Sequence, residues 1–268
     1  MPEIPSSANR AVRALADAVG DSRPRLPGDG TDPDIPVAAT VVIVRDGSAG
    51  PEVLMIERPD RGSFAGAWVF PGGKLDPADA GSADETEEQV ARRAGVRETG
   101  EETGLTLDEG RLVTLSCWDP PPGLPLRIRT WFFAAPAPAG ELALSADEAV
   151  AADWVRPGDL LERHSHGEVT LYPPTWITLH GLSAQPDVAA LLAAIRLAGV
   201  HRFETVARRV PTGPMLLWQE DAEYETDAAA SVEPGAEAPV LSERQRDEAS
   251  ARHRLEVGAL PWIYTRTS

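Results

Sequence analysis

Three glutamates, Glu98, Glu101 and Glu102, lie within the stretch RETGEETGL. On a helix they fall at i, i+3 and i+4, so all three side chains share one face. Like charges so spaced repel by roughly a few tenths of a kcal/mol per pair. Such a set needs either a wide solvated face or a cation to hold. The same region opens at residues 70–73 with two glycines after a proline, FPGG. Mg²⁺ takes octahedral oxygen ligands and keeps several waters while binding one or two carboxylates and substrate phosphates. Carboxylates gathered on one helix face would supply oxygens of that kind.

The helix that positions them is expected to start after Thr86, which forms a capping box with Gln89, and to stop at Gly104. Gly95 and Gly100 sit inside it, each costing about 1 kcal/mol relative to Ala. Close packing on a sheet is one reason for such glycines, and function is the other. Residues 76–84, rich in Pro, Gly and Ala-Asp steps, read as a surface loop.

Before the helix, residues 37–45 form a near-continuous β-branched run expected to be a buried strand, paired in a hairpin with 52–58. A short strand at 68–70 leads into the glycines. Further strands are expected at 111–118, 127–135 and 151–155, then helices at 157–163, 174–181 and 187–198. Residues 141–149 read as a loop or short helical piece. This order fits a mixed sheet with helices on its faces, an α/β/α sandwich of the α+β class. Strands at 204–210, 215–218, 251–257 and 262–264 should pair as a C-terminal β extension, lying over the main domain or over a second subunit. The expected division is a flexible arm at 1–35 with a short amphipathic stretch at 11–19, a catalytic domain at 36–200, and an extension at 201–268 with an acidic flexible segment at 220–250.

The formal charge of −17 argues against a broad nucleic-acid surface. An anionic substrate would need bound cations or local arginines, and Lys74 is the only lysine. One cysteine, Cys117, excludes an internal disulfide framework and suits a reducing compartment, and residues 1–20 lack the apolar core of a signal peptide. No apolar run approaches the roughly 20 residues of a membrane span. The expectation is a cytoplasmic protein without nucleic-acid or membrane partners, with a homodimer as a further expectation.

Residues 97–105 resemble the second half of the Nudix box, Arg-Glu-aliphatic-any-Glu-Glu-any-Gly-aliphatic, at every position but Thr99. The first half is stretched, because Gly73 lies ten residues further from Arg97 than in the family pattern, and Gln89 stands where the family has a glutamate. The resemblance implies a hydrolase that cuts a diphosphate linkage with Mg²⁺ or Mn²⁺. It implies Glu98, Glu101, Glu102 and the Gly73 carbonyl as metal ligands. It makes Arg97 a brace, with Glu88 or Glu87 as substitute partner. A further carboxylate from a loop outside the box is expected at Glu148, beside Asp147. Thr99 is expected to face the sheet and bond back to the Gly95 carbonyl.

The phrases at 54–58, 62–66 and 70–76, and those at 167–175, are similar to the Nudix branch that splits coenzyme A and acyl-coenzyme A, whose peroxisomal members also carry a lengthened box. Asp76 fits that branch, whereas Phe64 stands where it has a histidine. Coenzyme A-type substrates are therefore favoured over ADP-ribose or NADH-type dinucleotides, and over a non-catalytic nucleotide-binding regulator. Arg58, Arg61 and Arg129 are the candidates for phosphate contact. His164 and His166 are expected to face water, Cys117 to be a buried small hydrophobe, and Trp176 to pack in the core rather than stack on a base.

Overall fold

The computed structural model describes residues 22–62, 64–124, 127–145, 148–225 and 250–267. The amphipathic stretch at 11–19, Asp147 and most of the acidic segment lie outside them. The central sheet begins with the hairpin of β1 (Val37–Gly47) and β2 (Gly50–Glu57), closed where Gly47 pairs with Gly50. β3 (Trp68–Val69) and β4 (Gly72–Lys74) follow, then helix α1 (Glu87–Thr103), β5 (Val113–Asp119), β6 (Arg129–Pro136) and β7 (Ala151–Val155). Helices α2 (Pro157–Ser165), α3 (Pro173–Leu182) and α4 (Val188–Ala198) precede β8 (His201–Glu204). The main path runs β3-β2-β1-β6-β5-β8, with β4 beside β1 and β7 beside β2. β1 is parallel to β6 and β5 to β8, while the other pairs are antiparallel, so the sheet is mixed as expected.

Both faces are covered, which explains why β1 reads as an unbroken apolar run. Ala39, Val41 and Ile43 join Phe133, Trp131 and the α1 residues Ala91 and Ala94 on one side. Val42 and Val44 join Leu160, Leu179, Leu191 and Ile195 of α2, α3 and α4 on the other. Gly95 is the close-packing position. A Cβ there would lie 3.0 Å from Val41 Cγ2. Gly100 is exposed, and a Cβ there would meet only the Leu105 carbonyl oxygen, at an ordinary 3.7 Å.

The late strands form a second, antiparallel sheet: β9 (Val206–Val210), β10 (Gly213–Leu217), β11 (Arg252–Glu256) and β12 (Ile263–Thr267), ordered 12-11-10-9. Leu216, Trp218, Leu255, Val257 and Trp262 share one core with the helices of the main sheet, so this sheet lies over the main domain. The expected strand at 204–210 divides at Thr205: residues before it join the main sheet and those after it the second. The described part of the leader, 22–35, is docked rather than free, with Arg23 bonded to Asp29 and Arg25 donating to the Asp119 carbonyl at 3.2 Å. No helix among the described residues is long and apolar enough to cross a membrane.

His164 and the Thr99 hydroxyl sit otherwise than expected, whereas His166, Cys117 and Trp176 sit as expected. His164 is buried against Trp262, ring centroids 4.5 Å apart, and burial pushes its imidazole down to about 4. His166 is exposed. Thr99 faces the sheet, but its hydroxyl has no partner among the described residues, and it is Thr103 that donates back, to the Thr99 carbonyl at 2.6 Å. Cys117 is buried, its thiol pushed up to about 12 by desolvation, and Trp176 packs in the core beside His180.

Candidate metal-binding active site

Two of β1's neighbours build the site. β2 pairs with residues 44–47 of β1 and β4 with residues 38–40 along the same edge, so the chain after Pro71 is laid in where β2 has diverged. Gly72 pairs with Thr40 and Gly73 with Ala39. Gly72 has φ 154°, and a Cβ on it would lie 2.6 Å from Thr40 Cα, so glycine is required for this approach. Thr40 Oγ1 donates to the Pro71 carbonyl at 2.7 Å and fixes the turn.

α1 crosses this strand with its C-terminal half. Thr86 and Gln89 form the expected capping box at its start, and Gly104, in the left-handed conformation at φ 73°, ends it. About three turns along, Glu98 comes against Gly73, where a Cβ would fall 2.5 Å from both its carboxylate oxygens. Glu102, almost fully buried, accepts a hydrogen bond from the Gly72 amide at 2.7 Å. Glu101 lies at the exposed rim.

Arg97 holds the cluster, and its partner is neither Gln89, Glu88 nor Glu87 but Asp79. Arg97 Nε and Nη2 donate to the two Asp79 oxygens, both at 2.9 Å, while Nη1 reaches Glu98 and Glu101, also at 2.9 Å. The supposed surface loop is a capped 3₁₀ turn (Pro77–Asp79) in which Asp79 is buried, and Arg93 adds a bond to the Asp79 carbonyl at 2.6 Å. Arg97 holds the Asp79 carboxyl below its ordinary range, and Asp79 in turn raises Arg97. Sequence reading missed Asp79. Its signal was the Asp76-x-x-Asp79 spacing with proline at the first turn position, a capping pattern. Gln89 is engaged in the helix cap, and Glu88 bonds Arg92 and Thr114.

The segment before β7 closes the site. The Ala143 amide donates to the Thr103 carbonyl at 2.8 Å and the Ser145 amide to that of Glu102 at 3.1 Å. This brings Glu148 near enough to raise both Glu98 and Glu102 electrostatically. Of the three arginines expected to meet phosphate, Arg58 is at the cluster, its Nη1 3.8 Å from Glu102 Oε1 and its Nε buried without a partner among the described residues. Arg61 is exposed on the loop beyond β2. Arg129 does not belong to the site. It lies at the other end of α1, buried, with Nε on Asp119 at 2.7 Å, Nη1 on Glu87 at 2.9 Å and Nη2 on the Gly30 carbonyl at 2.7 Å. Each of its three nitrogens is engaged inside the protein, away from the glutamate cluster, which holds it as a structural tie.

The residues present fit a divalent cation. Burial is the main cause that pushes Glu98 up, and it pushes Glu102 to about 7, with neighbouring carboxylates adding to both. Glu148 Oε2 is buried and has no hydrogen-bond partner among the described residues. Crowded, desolvated carboxylates with an unpaired oxygen are the donor set a hard cation relieves.

Residues 34–173, more than half of the 268-residue chain, match the model of the NUDIX domain. Among solved structures, the chain is similar to a NUDIX hydrolase from Alicyclobacillus acidocaldarius, at 27% identity and TM-score 0.54, over 60% of this chain and 96% of that one. It is also similar to a MutT NUDIX hydrolase from Burkholderia pseudomallei, at 30% identity and TM-score 0.42, over 55% and 97%. A third similar structure is the NUDIX domain of Shewanella oneidensis NrtR complexed with ADP ribose, at 17% identity and TM-score 0.44, over 65% and 94%. A comparison with curated protein sequences gave no match. On the strength of the domain match, the chain belongs to the Nudix family and is a Nudix hydrolase.

Proposed function

We propose that this protein hydrolyses the diphosphate linkage of coenzyme A or an acyl-coenzyme A in a reaction dependent on Mg²⁺ or Mn²⁺. The observation that carries the reaction class is the convergence of Glu98 and Glu102 on the Gly72-Gly73 strand, with Glu148 close enough to act on both and its Oε2 unpaired among the described residues. In this reading Glu98, Glu101, Glu102 and the Gly73 carbonyl hold the metal. Bound there, a divalent ion would offset the charge of the diphosphate and make a coordinated water more acidic. Arg97, anchored by Asp79, keeps Glu98 and Glu101 in place as the diphosphate enters. Glu148 takes the proton of the attacking water. A new oxygen–phosphorus bond forms, the bridging oxygen leaves with its electron pair, and two phosphate monoesters result. Arg58 meets the diphosphate oxygens, and Arg61 those of the nucleotide further out.

The preference for coenzyme A rests on the lengthened box, the FPGG phrase and Asp76. The lengthening is put to use in this protein, because it supplies the aspartate that anchors Arg97. Coenzyme A, NADH, ADP-ribose and nucleoside triphosphates assayed side by side with Mg²⁺ or Mn²⁺ would test both levels. Phosphopantetheine and adenosine 3′,5′-bisphosphate are the expected products of coenzyme A. A tenfold preference for ADP-ribose or NADH would overturn the substrate, and no turnover of any diphosphate would overturn the reaction.

A further inference from the structure

A second cluster of metal-competent side chains lies outside the glutamate site, at the junction of the two sheets. His201 comes from β8 of the main sheet, Glu220 from the turn after β10, and His253 from β11. His201 Nε2 is 3.4 Å from Glu220 Oε1, and His253 Nδ1 is 2.6 Å from Glu220 Oε2. One donor atom from each residue lies within 4.8 Å of the other two. Zinc ligands at about 2.0–2.1 Å in a tetrahedron stand about 3.4 Å apart, so the His201–Glu220 separation is already a tetrahedral edge.

We infer that His201, Glu220 and His253 form a transition-metal site, of the class that takes Zn²⁺, which ties the C-terminal sheet to the main one. Two histidines and one glutamate are an established zinc donor set. A hydrogen-bonded histidine–carboxylate pair alone would account for His253 Nδ1 but not for the rest. Among the described residues, the buried His201 Nε2 makes no hydrogen bond, and the His253 side chain is fully buried with its Nε2 also unpartnered. Desolvation lowers both imidazoles, and neutral imidazole is the ligating form. Arg266 adds positive charge beside both histidines. Affinity must therefore come from imidazole bonding rather than from a field of carboxylates, which selects Zn²⁺ over Mg²⁺.

The full chain carrying Glu98→Gln and Glu102→Gln, which disables the glutamate site, is titrated with Zn²⁺ against a chromophoric chelator in excess Mg²⁺. One tight equivalent is expected. Adding His201→Gln or Glu220→Gln, both on partly exposed positions, should weaken it at least tenfold. Their melting curves in EDTA should match the parent's. Zn²⁺ should raise the parent's melting temperature and leave that of the added variants unchanged. The inference is overturned if the parent binds no equivalent tighter than roughly 10 μM, or if His201→Gln and Glu220→Gln bind as the parent does.

Discussion

Glu102→Gln should stabilise the metal-free protein at the pH where it abolishes turnover. Glu102 is buried against the Gly72 amide, and desolvation raises its carboxyl from the ordinary 4.5 to about 7. A raised folded-state pKa means that the native protein binds more protons than the unfolded chain between those values. The group's contribution is therefore complete below pH 4.5, lost as pH rises to about 7, and constant above. The interval is about 2.5 pH units at about 1.36 kcal/mol each, which makes ionised Glu102 a burden of about 3 kcal/mol at pH 8. Gln is neutral, nearly isosteric, and keeps an oxygen for Gly72. Urea unfolding in EDTA should then show no difference between variant and wild type at pH 4.5, and a gain of about 3 kcal/mol for the variant at pH 8. In melting temperature this is roughly 6–10 °C. Mg²⁺ should narrow the gap, since a bound cation favours the ionised wild-type carboxylate. A difference that does not change between pH 4.5 and 8, or a variant less stable than wild type at pH 8, would refute the reasoning.

Gly73→Ala places a methyl 2.5 Å from both Glu98 oxygens and should weaken Mn²⁺ binding at least tenfold, measured by electron paramagnetic resonance titration. Asp79→Asn keeps the shape but loses the ionic half of two bonds to Arg97, and kcat should fall about 10–100-fold with a stability loss of about 1–3 kcal/mol. Arg129→Met strands Asp119 and Glu87, costing about 3–5 kcal/mol in denaturant unfolding, while kcat per folded molecule stays unchanged. EDTA should remove turnover, and Mg²⁺ or Mn²⁺ should restore it.

The parts of this protein that follow a period or a cap were legible in its sequence. The β1 run, the Thr86–Gln89 box, the Gly104 stop and the three glutamates on one face all rest on contacts within a few residues. What escaped depends on pairing across the chain. Gly72–Lys74 has poor strand character and becomes β4 only because the edge of β1 is open beside it. Asp79 reaches Arg97 across 18 residues of sequence, so helical spacing could not find it. Arg129 reads as a candidate for phosphate contact, yet Asp119 on the neighbouring strand and Glu87 at the start of α1 enclose it. Glu148 was reached only through the family resemblance, because it is tied to α1 through backbone bonds from 143 and 145, which no side-chain pattern announces.

The two faces of the main sheet also differ in when they can be finished as the chain leaves the ribosome. The face under α1 is filled by residues no later than Trp154. The opposite face needs Leu255, Val257 and Trp262, drawn from the second sheet. Vectorial synthesis can therefore pack the glutamate helix while the rear layer still exposes Trp176 and Ile177. During that interval the nascent protein carries a nearly complete active site on an unfinished body. Chaperone capture of such a chain should fall on the rear face, leaving the catalytic one clear.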